Sequence, residues 1–197
     1  MLFRSIAQGD AAGAVALLGP YVEPSLEGGM PYFTATAGLV LVSARRRIRE
    51  HDRALSLIDK LSETIASLGN AWMVAQLGIE RGLVALESGD VGTAEKCIRS
   101  SLATFVEKDQ YPDVSRTLDA AGLVANSAGR GDQAVRCFAA AQALRTTLGL
   151  VALPPDVETV SDVCDSLRTS LGAQRFTEAW DIGSSASAED VATILGE

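Results

Sequence analysis

Four short runs constrain this chain more than anything else in it. They are Ala14-Val15-Ala16-Leu17-Leu18, Ala54-Leu55-Ser56-Leu57-Ile58, Ala94-Glu95-Lys96-Cys97-Ile98 and Ala134-Val135-Arg136-Cys137-Phe138, and their first alanines recur at one constant interval. In each run a small residue is followed three and four places later by larger apolar ones, the spacing of one buried helix face. An acidic turn precedes three of them, Gly9-Asp10, Gly89-Asp90 and Gly131-Asp132, with His51-Asp52 before the other. Glycine can end one helix in the left-handed region and aspartate can cap the next. A second marker lies on the preceding helix: Gly38-Leu39-Val40, Gly82-Leu83-Val84 and Gly122-Leu123-Val124. Its glycine precedes Ala94 and Ala134 by the same distance, but stands one helical turn further ahead of Ala54. The longer spacing predicts an extra turn of helix through Arg45-Arg46-Arg47. Each unit is therefore expected to be a helical hairpin whose helices cross closely at small residues.

A single hairpin cannot bury both of its faces, so hairpins must stack. The sequence predicts an all-α fold, a right-handed superhelical solenoid of antiparallel helix hairpins with a period of about 40 residues. Hairpins are expected at 31–49 with 52–68, 71–88 with 90–108, and 111–129 with 131–148. Breaks fall at Gly28-Gly29, Gly69-Asn70, Tyr111-Pro112 and Pro154-Pro155, each chemically able to stop a helix. Helices at 156–171, 173–181 and 188–195 follow, the last begun by a capping box of Ser187 and Asp190. Residues 1–153 then form the repeats and 154–197 the helices that cap them. At the other end Leu2, Phe3, Ile6 and Ala7 make a stub instead of a full partner helix. Two readings stand there: a naturally short cap, or a fragment or self-associating N-terminal edge.

Gly122, Ala134, Phe138 and Ala141 set out a small residue, an alanine, a bulky apolar residue and a second small one, and in this they resemble the tetratricopeptide repeats. Gly82, Ala94, Ile98 and Ser101 follow nearly the same pattern. The departures are Gly78 and Arg81 in one repeat, and Leu118 and Ala121 in the next, at the places of the family's large first-helix residues. The period also exceeds the family's repeat of about 34 residues, which implies longer helices. The C-terminal stretch is similar to the end of bacterial LuxR-type transcriptional regulators and ATPase-bearing adenylyl cyclases. Leu144, Arg145, Gly149, Pro154, Pro155, Leu171, Gly172, Phe176, Ala179, Trp180, Gly183 and Val191 carry that likeness. The resemblance implies the regulatory portion of a bacterial signalling or transcription-control protein. Neither the ATPase nor the helix-turn-helix of such proteins has a counterpart in these residues.

Charge and rare residues narrow the chemistry. Lys+Arg number 17 against 25 Asp+Glu, a net charge of −8, which disfavours nucleic acid and anionic membrane surfaces as partners. The longest strongly apolar stretch, Ala35–Ala44, is half of the about 20 residues a spanning helix needs. Gln8, Gly9 and Asp10 interrupt the N-terminal apolar run, so a cytoplasmic protein is expected. Cys97, Cys137 and Cys164 have no paired spacing and fit a reducing compartment; with His51 as the one histidine, a Cys/His zinc site and a histidine-based triad are excluded. No phosphate loop occurs, since Gly129-Arg130-Gly131-Asp132 reads as a turn, and Trp180-Asp181-Ile182-Gly183-Ser184-Ser185 lacks the nucleophile elbow. No enzyme, metal or cofactor is expected. Glu80 and Glu87 read as solvated charge, His51 as a residue of an exposed turn, and Arg45-Arg46-Arg47 as cations well placed at a helix C-terminus. Cys97 and Cys137 read as core residues, Trp72 and Trp180 as packing anchors.

In stacked hairpins the first helices line a concave groove, and the side chains facing it lie at fixed offsets from the small residue. Those offsets select Tyr32 from the first hairpin, Gln76, Ile79, Leu83 and Glu87 from the second, and Arg116, Asp119, Leu123 and Asn126 from the third. Apolar groups mixed with a few polar ones suit a peptide or a partner helix. A small-molecule effector is a second candidate, and filling by the C-terminal helices a third. The expected function is a non-enzymatic protein-interaction or sensory module of a bacterial signalling or transcription-regulatory protein. The alternative is a structural scaffold forming a homodimer through its N-terminal repeat edge.

Overall fold

A computed structural model of the chain describes residues 10–151 and 156–186. Among the described residues the chain is all-helical, with no strand. The helices are α1 (Ala11–Ser25), α2 (Pro31–Arg47), α3 (His51–Ser67), α4 (Ala71–Glu87), α5 (Val91–Glu107), α6 (Tyr111–Ser127), α7 (Gly131–Leu148), α8 (Asp156–Leu171) and α9 (Ala173–Ser185). From α2 to α7 each helix begins half a repeat period after the one before it.

Backbone geometry gives the reason. Positive φ occurs at Arg49, Gly69, Gly89, Asp109, Gly129 and Gly149, at the same half-period interval. A left-handed residue cannot continue a right-handed helix, so each of these ends one helix and turns the chain. After four of them the next N–H donates back to a carbonyl of the last turn at 2.9 Å: Glu50 to Arg45, Gln110 to Phe105, Arg130 to Ala125 and Leu150 to Arg145. Those bonds satisfy carbonyls that a helix end leaves open. On the far side of the turn, Asp10 accepts from the Gly13 N–H at 2.7 Å, Asn70 from Met73 at 3.2 Å and Asp90 from Thr93 at 3.0 Å.

Two local expectations shift in register. The turn expected at Gly131-Asp132 lies two residues earlier, with Gly129 left-handed and Arg130 as the cap; Asp132 is already helical and pairs with Arg175. At Tyr111-Pro112 the chain opens α6, as the expected helix from 111 requires, because a proline in the first turn has no intrahelical hydrogen bond to lose. The extra turn expected at Arg45–Arg47 is absent: α2 has 17 residues, as α4 and α6 do. Gly38 is the eighth residue of its helix, whereas Gly82 and Gly122 are the twelfth of theirs. Pro154-Pro155, the helix at 188–195 with Ser187, Asp190 and Val191, and the stub of Leu2, Phe3, Ile6 and Ala7 lie outside the described residues.

The chain divides into two compact units, one ending at Gly89 and the other beginning at Asp90. The division falls between α4 and α5, the helices expected to form the second hairpin. In the first unit α2 packs on α1 and α3, and α4 packs on both α2 and α3. Leu41, Ile58, Leu61, Ile65 and Met73 are fully buried there. Each such side chain removed from water contributes about 1.5–3 kcal/mol before entropy is counted. Gly38 lies against Leu61: a Cβ on that glycine would meet the two Leu61 methyls at 2.6 and 2.7 Å.

In the second unit α6 packs on α5 and α7, and α9 lies closely on α7. Gly122 faces Phe138, and a Cβ there would fall on the ring, with two of its carbons at 2.7 Å. Helix α7 buries Ala134, Ala139, Ala140 and Ala141, small enough for α9 to approach its backbone. Phe176, Ala179 and Gly183 of α9 are buried, so the F-x-x-A-W-x-x-G run is one helix face. A Cβ on Gly183 would overlap the Arg136 carbonyl. Trp180 stacks on Phe176 with ring centres 5.7 Å apart, and the Arg168 guanidinium stands 4.5 Å above the Phe176 ring.

Burial pushes the Cys137 thiol up to about 12 and the Cys164 thiol up to about 11. The thiolate is the reactive form, so both are poor nucleophiles in the folded chain. Alkylation of the native protein with iodoacetamide at mildly alkaline pH should leave Cys137 unmodified until urea unfolds its unit, as peptide mapping by mass spectrometry would read. Native labelling of Cys137 at the unfolded rate would remove it from the core.

Candidate functional site

Short connections make successive helices of the first unit antiparallel, which sorts its side chains between two ends. One end holds the close of α2 and α4 and the opening of α3. There Arg46 donates from Nε to Glu80 Oε2 at 2.9 Å and from Nη1 to Glu87 Oε1 at 2.6 Å. The other oxygen of Glu87, Oε2, lies 2.7 Å from His51 Nε2. Four side chains thus tie α2, α3 and α4 together. Arg45 pairs with Glu23 of α1, and its Nε stands 3.8 Å from Glu50 Oε2.

This corrects three readings of the sequence. Glu80 is not solvated: its side chain is 5 % exposed, and that of Arg46 9 %. Two carboxylates seven apart on α4 do share a face, but that face meets Arg46. The arginine run does occupy the last turn of its helix, yet Arg45 and Arg46 are buried and ion-paired. His51 opens a helix and is half-buried, instead of lying in an exposed turn. Burial disfavours the Arg46 charge, but Glu80 and Glu87 outweigh it and hold its pKa above the ordinary value. The arrangement is a lock: each of its four members has a charged or hydrogen-bonded partner.

The residues selected for a groove fall in both units. Gln76 and Ile79 are buried in the first unit, and Leu83 is half-buried. Glu87 belongs to the lock, at the opposite end of the unit from Tyr32, which is exposed in the first turn of α2. Because Gly38 comes one turn early, Tyr32 is the second residue of its helix, whereas Gln76 and Arg116 are the sixth of theirs. In the second unit Arg116 is exposed, Leu123 and Asn126 are half-buried, and Asp119 Oδ2 accepts from Arg145 Nη1 at 2.6 Å with both side chains mostly buried. A shallow open depression in that unit is lined in part by Ile98, Ala121, Val124 and Ala125. Its rim is occupied by ion pairs of Glu95 with Arg99 and Arg130, each at 3.1 Å, and none of the groove candidates lines it.

The other end of the first unit differs sharply. It gathers the closes of α1 and α3 and the openings of α2 and α4; Tyr21, Met30, Tyr32, Phe33, Trp72 and Val74 of these segments are exposed, and so are Glu27 in the α1–α2 turn and Glu63 near the close of α3. No charged residue occurs at 31–44 or 71–79. Trp72, expected as a packing anchor, is partly exposed. Apart from Tyr32 and Trp72, sequence reasoning passed these residues over; the signal was the missing charge at helix positions that usually carry it.

Among the described residues no group of three or more His, Cys, Asp or Glu is placed to hold a metal ion. No described helix is long and apolar enough to cross a membrane. Compared with known proteins, the chain matches no family model and no curated protein.

Proposed function

We propose that this chain is a non-enzymatic interaction module: a tetratricopeptide-like helical solenoid from a bacterial, cytoplasmic signalling or transcription-regulatory protein. Its working surface is the end of the first unit where α2 and α4 open. One observation carries the reading, namely six large apolar side chains exposed on the segments that meet there, with no charge at 31–44 or 71–79. Exposed apolar surface concentrated in one place marks an interaction site, where scattered single residues do not. Aromatic side chains suit the role because they bring large area at low entropic cost. The lock at the opposite end supports it further, since it holds α2, α3 and α4 rigid and leaves the apolar end organised before a partner arrives.

A photo-crosslinking residue placed at Tyr32 tests this directly in cells, with the same residue at exposed Thr177 of α9 as the control. Tyr32 is expected to give a discrete adduct, identifiable by mass spectrometry, that Thr177 does not. Equal labelling from both positions would overturn the assignment of the surface.

A further inference from the structure

We infer that the outer face of α1 is the seat of the chain's own first nine residues. That face is distinct from the end where α2 and α4 open, so the two readings fail separately.

Helix α1 buries Ala14, Leu18 and Val22 on one side. Its other side runs through Gly13, Ala16, Leu17, Pro20, Tyr21 and Pro24. These are neighbours at three- and four-residue spacing, so they make one continuous stripe along the helix. Gly13 is half-buried and the rest are exposed, Leu17 at 41 %. None is charged, and Glu23, the one charged residue of α1, pairs with Arg45. A helix apolar on both sides belongs in an interior, so this stripe calls for a cover.

Register names the occupant. At Gly69-Asn70 and Gly89-Asp90 a left-handed glycine turns the chain and the next side chain caps the following helix. Gly9-Asp10 repeats that pair, with Asp10 accepting from the Gly13 N–H. Gly9 also stands one full repeat period before the left-handed Arg49. In both units, residues that meet across such a turn lie nearly equally far from its left-handed residue. Gly38 and Leu61 flank Arg49 at eleven and twelve places; Gly122 and Phe138 flank Gly129 at seven and nine. The same rule sets Phe3, six places before Gly9, against Ala16 and Leu17. At 1.5 Å per residue, a helical segment of nine residues reaches Leu17 and stops short of Tyr21. Leu2, Phe3 and Ile6 bring the apolar area, and Arg4 is the one charged residue among the nine. Tethered at Asp10, this segment meets the stripe without the loss of translational freedom that a separate partner suffers.

Disulfide trapping in the full chain tests the contact. Phe3→Cys/Leu17→Cys is compared with Phe3→Cys/Ser56→Cys, Ser56 being exposed on α3. Under mild oxidation, peptide mapping by mass spectrometry should find the intrachain bond of the first variant forming about tenfold faster than that of the second. Hydrogen exchange is the other readout. Phe3→Asp should speed exchange of the α1 amides about tenfold, as uncovering one large apolar side chain requires, whereas Ser5→Asp should leave it unchanged. Equal trapping rates in the two variants overturn the inference, and so does exchange indifferent to Phe3→Asp. A bond from Phe3→Cys to Leu17→Cys that joins two chains overturns it as well, and gives the face to a second copy.

Discussion

Replacing Arg46 with methionine should destabilise the first unit by about 3–5 kcal/mol, a large share of what holds a domain of this size together. The cost is not the value of the ion pair itself. Arg46 and Glu80 are both nearly removed from water, and two charges held in that way roughly repay their own desolvation. Removing the cation alone leaves the Glu80 carboxylate buried with its main counter-charge gone, while Glu87 keeps His51. A second substitution tells these apart. In Arg46→Met/Glu80→Leu both charges are gone and the space is refilled by apolar groups, so most of the lost stability should return. Arg46→Lys should recover little, because one ammonium cannot reproduce a fork that reaches two carboxylates two turns apart. The chain supplies its own reporters: Trp72 lies in the first unit and Trp180 in the second. Urea titration of a Trp180→Phe background therefore reads the first unit alone, without assuming that both units unfold together. A loss below about 1 kcal/mol would mean that water reaches Glu80, the behaviour of a surface pair.

How much of this was legible beforehand depends on the range of the cause. Helix existence and length follow from local chemistry, with a glycine or another tolerated left-handed residue once in every half-period and capping side chains just after. Helices at 31–47, 71–87 and 111–127 were accordingly expected within two residues of their observed ends. The lock was not legible, because nothing local to Glu80 states that a residue 34 positions earlier faces it. The rule that charged residues belong in water gave the wrong default. The groove offsets failed in register for the first hairpin for a related reason. They were counted from glycines taken as equivalent, and Gly38 stands one turn early in its helix. The apolar end was half legible. Its sign was a charge-free stretch beginning at Pro31, which reads equally as a buried helix until the opposite face is seen to be exposed.

The early glycine yields the other large effect. Two periods on from Gly38 is Leu118, and two periods on from Leu61 is Ala141. One hairpin therefore carries small on its first helix and large on its second, and the other carries the reverse. Gly38→Leu alone should cost about 3 kcal/mol, because even a Cβ there collides with both Leu61 methyls in a closed core. Leu61→Ala alone should cost about 2–5 kcal/mol through the cavity it leaves. Combined, the two substitutions copy the arrangement of the later hairpin and should cost less than either one alone, a coupling well beyond the usual few tenths of a kcal/mol between independent sites. Thermal melts and urea midpoints of the three variants complete the cycle. Strict additivity would mean that the two positions do not share a contact, and that Gly38 is small for a backbone reason. Coupling of the expected sign would mean that the helix crossing constrains the summed size of a pair while leaving each member free. A repeat constrained in that way keeps its regular helix spacing while its side-chain pattern drifts, since any large residue on one helix is tolerated when its partner on the other is small.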